Sequence, residues 1–453
     1  MCVKDNFDVV VCGGGTSGIP AALSAARNGM KVALIEKNSY FGGTNTAAMV
    51  SPLMTYHAGK RKVIEGIAQE IVDRLAERNA TLGHVRDSIG MVSTITPIDS
   101  EALKMLYFEM IAAEPNICPF LNSEITGISI EKGVIQEIKI SGRYGKKTIS
   151  GKAFIDATGD GDIMSLAKER HVVGRVKDGL SQPMSLMFKV AGVDMKAVRD
   201  YIKQNPEQFI WNSECSVDDY LAVSGFFSLV KKAQQNGDLT IPRDRVLFFQ
   251  GLSEGEVLVN MTRVIKLSGL DSDDLTKAEF EAHMQVDEIV RFFKKYIPGF
   301  ENCYIKAVAS EIGIRESRRL RGEHTITEND VIYNREFDDS VAVCAFPIDI
   351  HSPVGKELNW ARKEKFGCFD IPFQTMLPKK TKNLLVTGRC ISATHEALAA
   401  ARISATAMAL GQAAGLACAM SVKDDVPLHN LNISELQKKL AEQGAIPGKK
   451  WVK

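Results

Sequence analysis

Three groups of side chains in this 453-residue sequence have types and spacings that do chemistry. The stretch VTGRCISATHEALAAAR, residues 386–402, sets Cys390, His395 and Glu396 within seven residues. Those types suit a nucleophile with its base. They equally suit the lip of a cofactor pocket, because the alanines after Glu396 let a helix pack closely. The run GIRESRRLRGEH, residues 313–324, carries Arg315, Arg318, Arg319, Arg321 and His324. A guanidinium is a planar fork matched to a carboxylate. Helical spacing puts Arg315 and Arg319 on one face with Arg318 beside them; the competing reading is a solvated basic face paired with Glu311 and Glu316. His351 follows an apolar strand in FPIDIHSPVG, and imidazole is the commonest general acid or base at neutral pH. The catalytic candidates are therefore His351, Arg315 and Arg319. Asn260 and Arg263 of VNMTRV are further pocket residues, and His57 of LMTYH is one that faces a cofactor ring or carries it.

Such groups need a scaffold, and the first fifty residues supply one. DVVVCG is a short β-branched run that reads as a buried strand. Gly13, Gly15 and Gly18 then form G-x-G-x-x-G. Ile19, Leu23 and Ala26 give a helix one apolar face, with Pro20 in its first turn and Gly29 at its end. KVALIE is the next strand, and Glu36 closes it. The first glycine makes the tight turn, the second lets backbone approach a pyrophosphate, and the third lets helix meet strand. The helix N-terminus faces the phosphates and the acid takes a ribose diol. This is a dinucleotide site.

The rest of the chain reads as three further segments. Residues 63–83 and the stretch TPIDSEALKMLYFEMIAA have helical spacing, with Thr96 before Pro97 as the cap of the second; a helical cap over 56–100 is one expectation. Strands with turns at Lys132–Gly133 and Gly142–Gly145 make an antiparallel meander that feeds AFIDATG. From 163 to 350 the dinucleotide signals stop. Residues 184–193 and 255–267 look like strands, and 198–235 and 276–296 look mainly helical. KNLLVTG is another apolar strand, and the last helix, ISELQKKLAEQG, has capping-box spacing at Ser434 and Gln437 and ends at Gly444. The division is 1–162, 163–350 and 351–453, an α/β protein whose dinucleotide domain is interrupted by an α+β substrate domain. No second G-x-G-x-x-G occurs, so the second redox partner enters from outside.

Bulk properties remove other classes. Basic and acidic residues balance, 56 against 55, for a net charge of +1. Nucleic acid and anionic membranes are therefore not expected partners. Nine cysteines are scattered with no C-x-x-C, which fits a reducing cytosol and argues against a zinc site or a redox dithiol; no metal is expected. The sequence shows no secretory signal, and the apolar stretch 397–420 is mostly alanine interrupted by Arg402 and Gln412, so no membrane span is expected. The expected location is the cytoplasm.

These motifs carry a resemblance. GGGTSGIPAALSAARNGMKVALIEK, FGGTNT, IDATGDGD, GIRESRRLRGEHTITENDV, FDIPFQTMLPKKTKNLLVTGRCISATHEALAAARI and ALGQAAG resemble the FAD-dependent oxidoreductases related to glutathione reductase and to the succinate dehydrogenase and fumarate reductase flavoproteins. Within these the chain most resembles a bacterial branch of mostly unassigned substrate. The resemblance covers nearly the full length. It implies a glutathione-reductase-type FAD fold and non-covalent FAD held by Gly13, Gly15, Thr16, Ser17, Gly18, Glu36, Lys37, Gly42, Gly43, Thr44, Ile125, Ala157, Thr158, Gly159, Gly388, Arg389, Arg402 and Ile403. Gly388–Arg389 departs from the Gly-Asp of many disulfide reductases, and the missing dithiol excludes their reaction. The expected activity is hydride transfer between flavin N5 and a small substrate carbon next to a carboxylate or carbonyl, with an external electron acceptor or donor. The alternatives are a flavoprotein monooxygenase or halogenase-like enzyme, and a non-catalytic flavin redox sensor or subunit. On this view VTGRCISATHEALAAAR is a cofactor cradle, with Cys390 a packing residue.

Overall fold

In the computed structural model, which describes residues 6–143, 145–355, 358–361 and 364–452, the chain starts with β1 (Asn6–Cys12), α1 (Gly18–Arg27) and β2 (Val32–Ile35). β1 and β2 run parallel, with Val9 opposite Val32 and Cys12 opposite Ile35. The strand Ile117–Phe120 extends the sheet beyond β2. On its other side β1 pairs in parallel with Gly145–Asp156, Cys12 opposite Asp156. The first half of that long strand carries the antiparallel meander Glu124–Glu131 and Val134–Gly142, and its last residues pair in parallel with Leu384–Val386. Two distant parts of the chain thus complete one seven-stranded sheet. Valines 9–11 and residues 32–35 are buried, as a parallel sheet covered on both faces requires.

α1 is buried along nearly its whole length because the helix Ser404–Asp424 lies across it. A Cβ at Gly411 would stand 2.0 Å from the Ser17 carbonyl oxygen, and one at Gly415 would stand 2.2 Å from that of Ala21. Backbones approach this closely only where side chains are absent. By length and composition alone Ser404–Asp424 would cross a bilayer, yet 83% of its apolar window is buried inside the protein.

The middle of the chain forms a second, antiparallel sheet. Its strands lie in the order Ala222–Gly225, Val246–Gln250, Val257–Val259, Phe188–Ala191 and Tyr304–Val308. The long helix Ser272–Tyr296, capped by Asp271, packs with it around Phe188, Phe226, Phe248, Phe293 and Phe300. Ile326 and the strand Ser340–Cys344 return to the core shared by α1 and Ser404–Asp424.

Several local expectations shift. The helix expected over 63–83 is Ile67–Ala76, and the rest of 56–100 holds short strands: His57–Ala58 pairs with Arg61–Lys62, and Thr94–Thr96 lies between Leu53–Met54 and Val85–Arg86 in a three-stranded sheet. Thr96 ends the strand Thr94–Thr96; the cap of Ser100–Ala112 is Asp99, whose Oδ1 accepts from the Glu101 and Ala102 amides. Residues 198–235 hold two helices, Met195–Gln204 and Phe227–Gln235, separated by the sheet-edge strand Ala222–Gly225. The last helix, Ile433–Glu442, is capped by Asn432, and Gln437 is buried, donating to the Asp338 and Ser340 carbonyls. The run 315–324 is not helical. Arg318–Leu320 is a strand paired with His171–Val173 and Arg315 lies before it outside any helix, so the helical face expected to join Arg315 and Arg319 does not exist. Tertiary pairing overrides local spacing at each of these positions.

Candidate functional site

The β1–α1 turn shows why its glycines are glycines. Gly13 has φ +102°, and a Cβ there would lie 2.4 Å from the Ala157 carbonyl oxygen. A Cβ at Gly18 would lie 1.8 Å from the Gly13 oxygen. Gly15 differs: the nearest atom to its Cβ would be Gly43 Cα at 3.6 Å, an ordinary contact. The protein itself needs the first and third glycines, while the second leaves backbone bare for a ligand. Gly42 and Gly43, both at positive φ, bring the next loop against this turn, with Gly42 N donating to Gly14 O at 2.8 Å. Thr16 Oγ1 donates to Asn45 Oδ1 at 2.9 Å, and Asn45 Nδ2 donates to Ser404 Oγ at 2.9 Å. That chain joins the turn to the start of Ser404–Asp424, where Ile403 is the cap. Two helix N-termini are thereby tied together, an arrangement that favours negative charge.

Glu36 is buried at the end of β2, its carboxylate accepting from Gly14 N and Asn38 N, both at 2.8 Å. Burial pushes its carboxyl above the usual range, against those two hydrogen bonds. Lys37 beside it is exposed, 3.9 Å from Glu311, and Thr44 lies in the short turn Gly43–Asn45. Ile125, partly buried, stands opposite Ile140 in the meander.

The loop after Gly145–Asp156 is pinned from two sides. Asp156 accepts from Thr158 N, Thr158 Oγ1 and Met164 N, and burial pushes its carboxyl up to about 6. The Gly159 carbonyl accepts from Arg389 Nε at 2.7 Å, Ser317 Oγ at 3.2 Å and Cys390 Sγ at 3.0 Å. Arg389 also donates to Asp160 Oδ1 at 2.6 Å and to the Ile314 carbonyl. Where a carboxylate stands in many disulfide reductases, this chain places a cation that staples Ala157–Thr158–Gly159 to two other segments. Gly388, φ +71°, meets the Ser17 side chain. Cys390 is buried and its thiol is pushed up by burial, so it is a packing residue and not a nucleophile beside His395.

Beyond these loops lies a cluster of buried basic side chains around Asp349 and His351. His351 Nε2 stands 3.3 Å from Asp349 Oδ2, and Arg402 Nη2 stands 3.8 Å from the same oxygen. Burial first, then Arg402, Arg243 and Arg263, hold the Arg315 guanidinium well below its usual range, with Asp349 opposing. Arg315 is anchored to the Pro183 carbonyl at 2.6 Å and Ser185 Oγ at 2.8 Å. Arg263 is fully buried and donates to the Ser352 carbonyl at 2.8 Å. Burial, then Arg315, push His351 down to about 3, and Asp349 is held at about 2, its burial overcome by His351, Arg402 and Arg315. A second histidine, His395, opens the helix His395–Ala401 and sits 2.8 Å from Glu316 Oε2. Arg319 Nε lies 3.3 Å from Glu316 Oε1, and its other nitrogens donate to the Ala393 and Gly174 carbonyls. Arg319 therefore braces Glu316, whereas Arg315, His351 and Arg402 come together. His57 bonds Thr94 Oγ1 through Nδ1 at 3.1 Å and packs edge-on against His84.

Sequence reading did not find Asp349, Arg243 or Gln182, and took Glu316 only as a partner of a solvated basic face, whereas it is buried against Arg319 and His395. Glu316 and Asp349 had a signal, since each stands within two residues of a candidate, Arg315 and His351. Arg243 and Gln182 had none, because only the packing of the second sheet on the first domain brings them in.

Among the described residues, buried side-chain atoms without a hydrogen-bond partner include Gln182 Nε2 and Oε1, Asn260 Oδ1, His351 Nδ1, His395 Nε2 and Arg402 Nε. Buried polar atoms are rarely left so. The bare Gly15 backbone and the buried Glu36 fit a ligand carrying a pyrophosphate and a ribose.

A geranylgeranyl bacteriochlorophyll reductase-like protein of Thermoplasma acidophilum shares the fold, with a TM-score of 0.50 over 97% of this chain and 84% of that one at 14% identity. The thiamine thiazole synthase of Sulfolobus acidocaldarius is 27% identical over 179 residues, 36% of this chain and 59% of that protein. That of Methanothermobacter thermautotrophicus is 29% identical over 169 residues, 36% of this chain and 60% of that protein. The chain thus spans less than two thirds of either synthase. A family model described as FAD dependent oxidoreductase matches residues 8–440, nearly the whole chain. The chain belongs to the FAD-dependent oxidoreductases.

Proposed function

We propose that this enzyme interconverts a small organic anion and its two-electron oxidation product, acting on a C–H or C=C bond next to a carboxylate or carbonyl. The observation that carries this reading is the cluster of Arg243, Arg263, Arg315 and Arg402 around Asp349 and His351. Non-covalent FAD, when bound, supplies a hydride acceptor or donor at N5. Gly13, Gly15 and Gly18 with the two helix N-termini would hold its pyrophosphate, and Glu36 its ribose.

The protein's own groups do the rest. Arg315 and Arg402 bind the substrate's anionic group, since a fork of N–H donors fits a carboxylate bidentately. His351 donates Nε2–H to Asp349, because a carboxylate only accepts; its bare Nδ1 then accepts from the substrate. Asn260 and Gln182 offer further polar atoms. The electron acceptor or donor comes from outside the chain, and the substrate is a soluble metabolite-sized anion.

Anaerobic mixing of the FAD-loaded protein with a panel of small carboxylates tests the reading. Bleaching of the long-wavelength flavin band by one of them, without NAD(P)H, is expected. Bleaching by NADPH alone, followed by rapid reoxidation in oxygen, would overturn it in favour of a monooxygenase.

A further inference from the structure

Two buried histidines, His351 and His395, are held alike and surrounded differently. His351 has Nε2 against Asp349, and His395 has Nδ1 against Glu316, 3.0 Å from Oε1 and 2.8 Å from Oε2. Neutral His395 must donate Nδ1–H, since the carboxylate only accepts. Its Nε2 then carries the lone pair, buried and without a partner among the described residues. The same carboxylate fixes Gln182, whose backbone N donates to Glu316 Oε2 at 3.0 Å. Both polar atoms of the Gln182 side chain also lack partners. Three orphaned polar atoms thus stand on residues anchored to one buried carboxylate, and together they call for a ligand that both donates and accepts.

The two rings differ in the charges that face them. His351 faces Arg315 and Arg243, and with burial they push it down to about 3. His395 has a buried carboxylate in direct contact. Charged groups around it include Arg319, on Glu316 Oε1 at 3.3 Å, Arg402, which is drawn toward Glu316, the adjacent Glu396, and Glu328, which accepts from Thr394 Oγ1 at 3.4 Å. His395 thus has a carboxylate at contact distance, whereas His351 faces arginines.

Resting on the anion reading above, we propose that His395, held by Glu316, takes the substrate's proton at Nε2, which makes the substrate a small carboxylate bearing a hydroxyl or amino group. The O–H or N–H bond breaks, its electron pair stays on oxygen or nitrogen, and the proton bonds to Nε2. His351 stays neutral and orients the substrate.

The test is calorimetric titration of the FAD-loaded protein with oxalate as probe, in two buffers of different ionisation enthalpy. An anion beside Nε2 favours the imidazolium, so the wild type takes up a proton on binding. His395→Gln is expected to bind oxalate with no uptake, and His351→Gln to keep the uptake. Uptake that survives in His395→Gln, or is missing in the wild type although oxalate binds, overturns the proposal and leaves the anion reading standing. No oxalate binding at all overturns the anion reading, and this proposal with it. Should His395→Gln fail to fold, ring-labelled histidine NMR of the wild type decides the matter. One of the eight rings should become imidazolium on oxalate addition and remain neutral in Glu316→Gln; no such ring, or one unaffected by Glu316→Gln, overturns the proposal.

Discussion

Gly411 stands directly on the backbone of Ser17: a Cβ there would lie 2.0 Å from the Ser17 carbonyl oxygen. The Ser17 side chain in turn meets Gly388. The turn that opens the dinucleotide site is thus clamped by two residues near the other end of the chain. In Gly411→Ala the helix Ser404–Asp424 must move away from α1. The expected loss is about 1–3 kcal/mol, the usual range for overpacking, read as a lower melting temperature and faster FAD release in thermal melts.

Glu36 reaches its site by accepting from Gly14 N and Asn38 N. Glu36→Ala removes both bonds and the acceptor for the ribose. FAD affinity is expected to fall about 10- to 100-fold, corresponding to the ~1.5–3 kcal/mol of a hydrogen bond to a charged group. Fluorescence titration of the apoprotein with FAD measures this. Unchanged affinity would show that Glu36 is only a brace for the turn.

Arg389 joins Gly159, Asp160 and Ile314. Arg389→Asp restores the residue common in disulfide reductases but sets a carboxylate beside Asp160. Weaker FAD binding than in Arg389→Ala is expected, because like charges repel where an ion pair stood. Equilibrium dialysis of the two variants compares them.

Asp156 gives a pH signature. Its carboxyl is raised by burial from 3.8 to about 6, so between those values the native state binds more protons than the unfolded one. Stability contributed by this group is full below about pH 4 and is lost as pH rises toward 6, by about 3 kcal/mol in all. Urea unfolding at several pH values should show Asp156→Asn with a smaller decline across that window than the wild type.

His351 is pushed down to about 3, first by burial and then by Arg315. Its ring should show no titration between pH 5 and 8 by NMR. In Arg315→Met the value should move up, since a cation is removed while Asp349 stays. A His351 ring that titrates near 6.5 in the wild type would mean that the arginines do not face it.

The sequence by itself determined the dinucleotide half of this protein. Strand, G-x-G-x-x-G, helix, strand and Glu36 are contiguous, and each step follows from local sterics: Gly13 and Gly18 admit no Cβ. The meander and the strand Leu384–Val386 were also legible, because period-two patterns and glycine turns are short-range signals. The catalytic side was not. Helical spacing mispaired Arg315 with Arg319: no helix forms there, Arg319 lies in a strand paired with His171–Val173 and reaches Glu316, and Arg315 is anchored to Pro183 and Ser185. Whether Arg243, Gln182, Arg402, His351 and His395 meet depends on how the second sheet docks on the first domain. That docking is a sum of long-range contacts that no local window contains. Only the tertiary structure decided that His395 faces Glu316 rather than Cys390, because the partner lies in another segment of the chain.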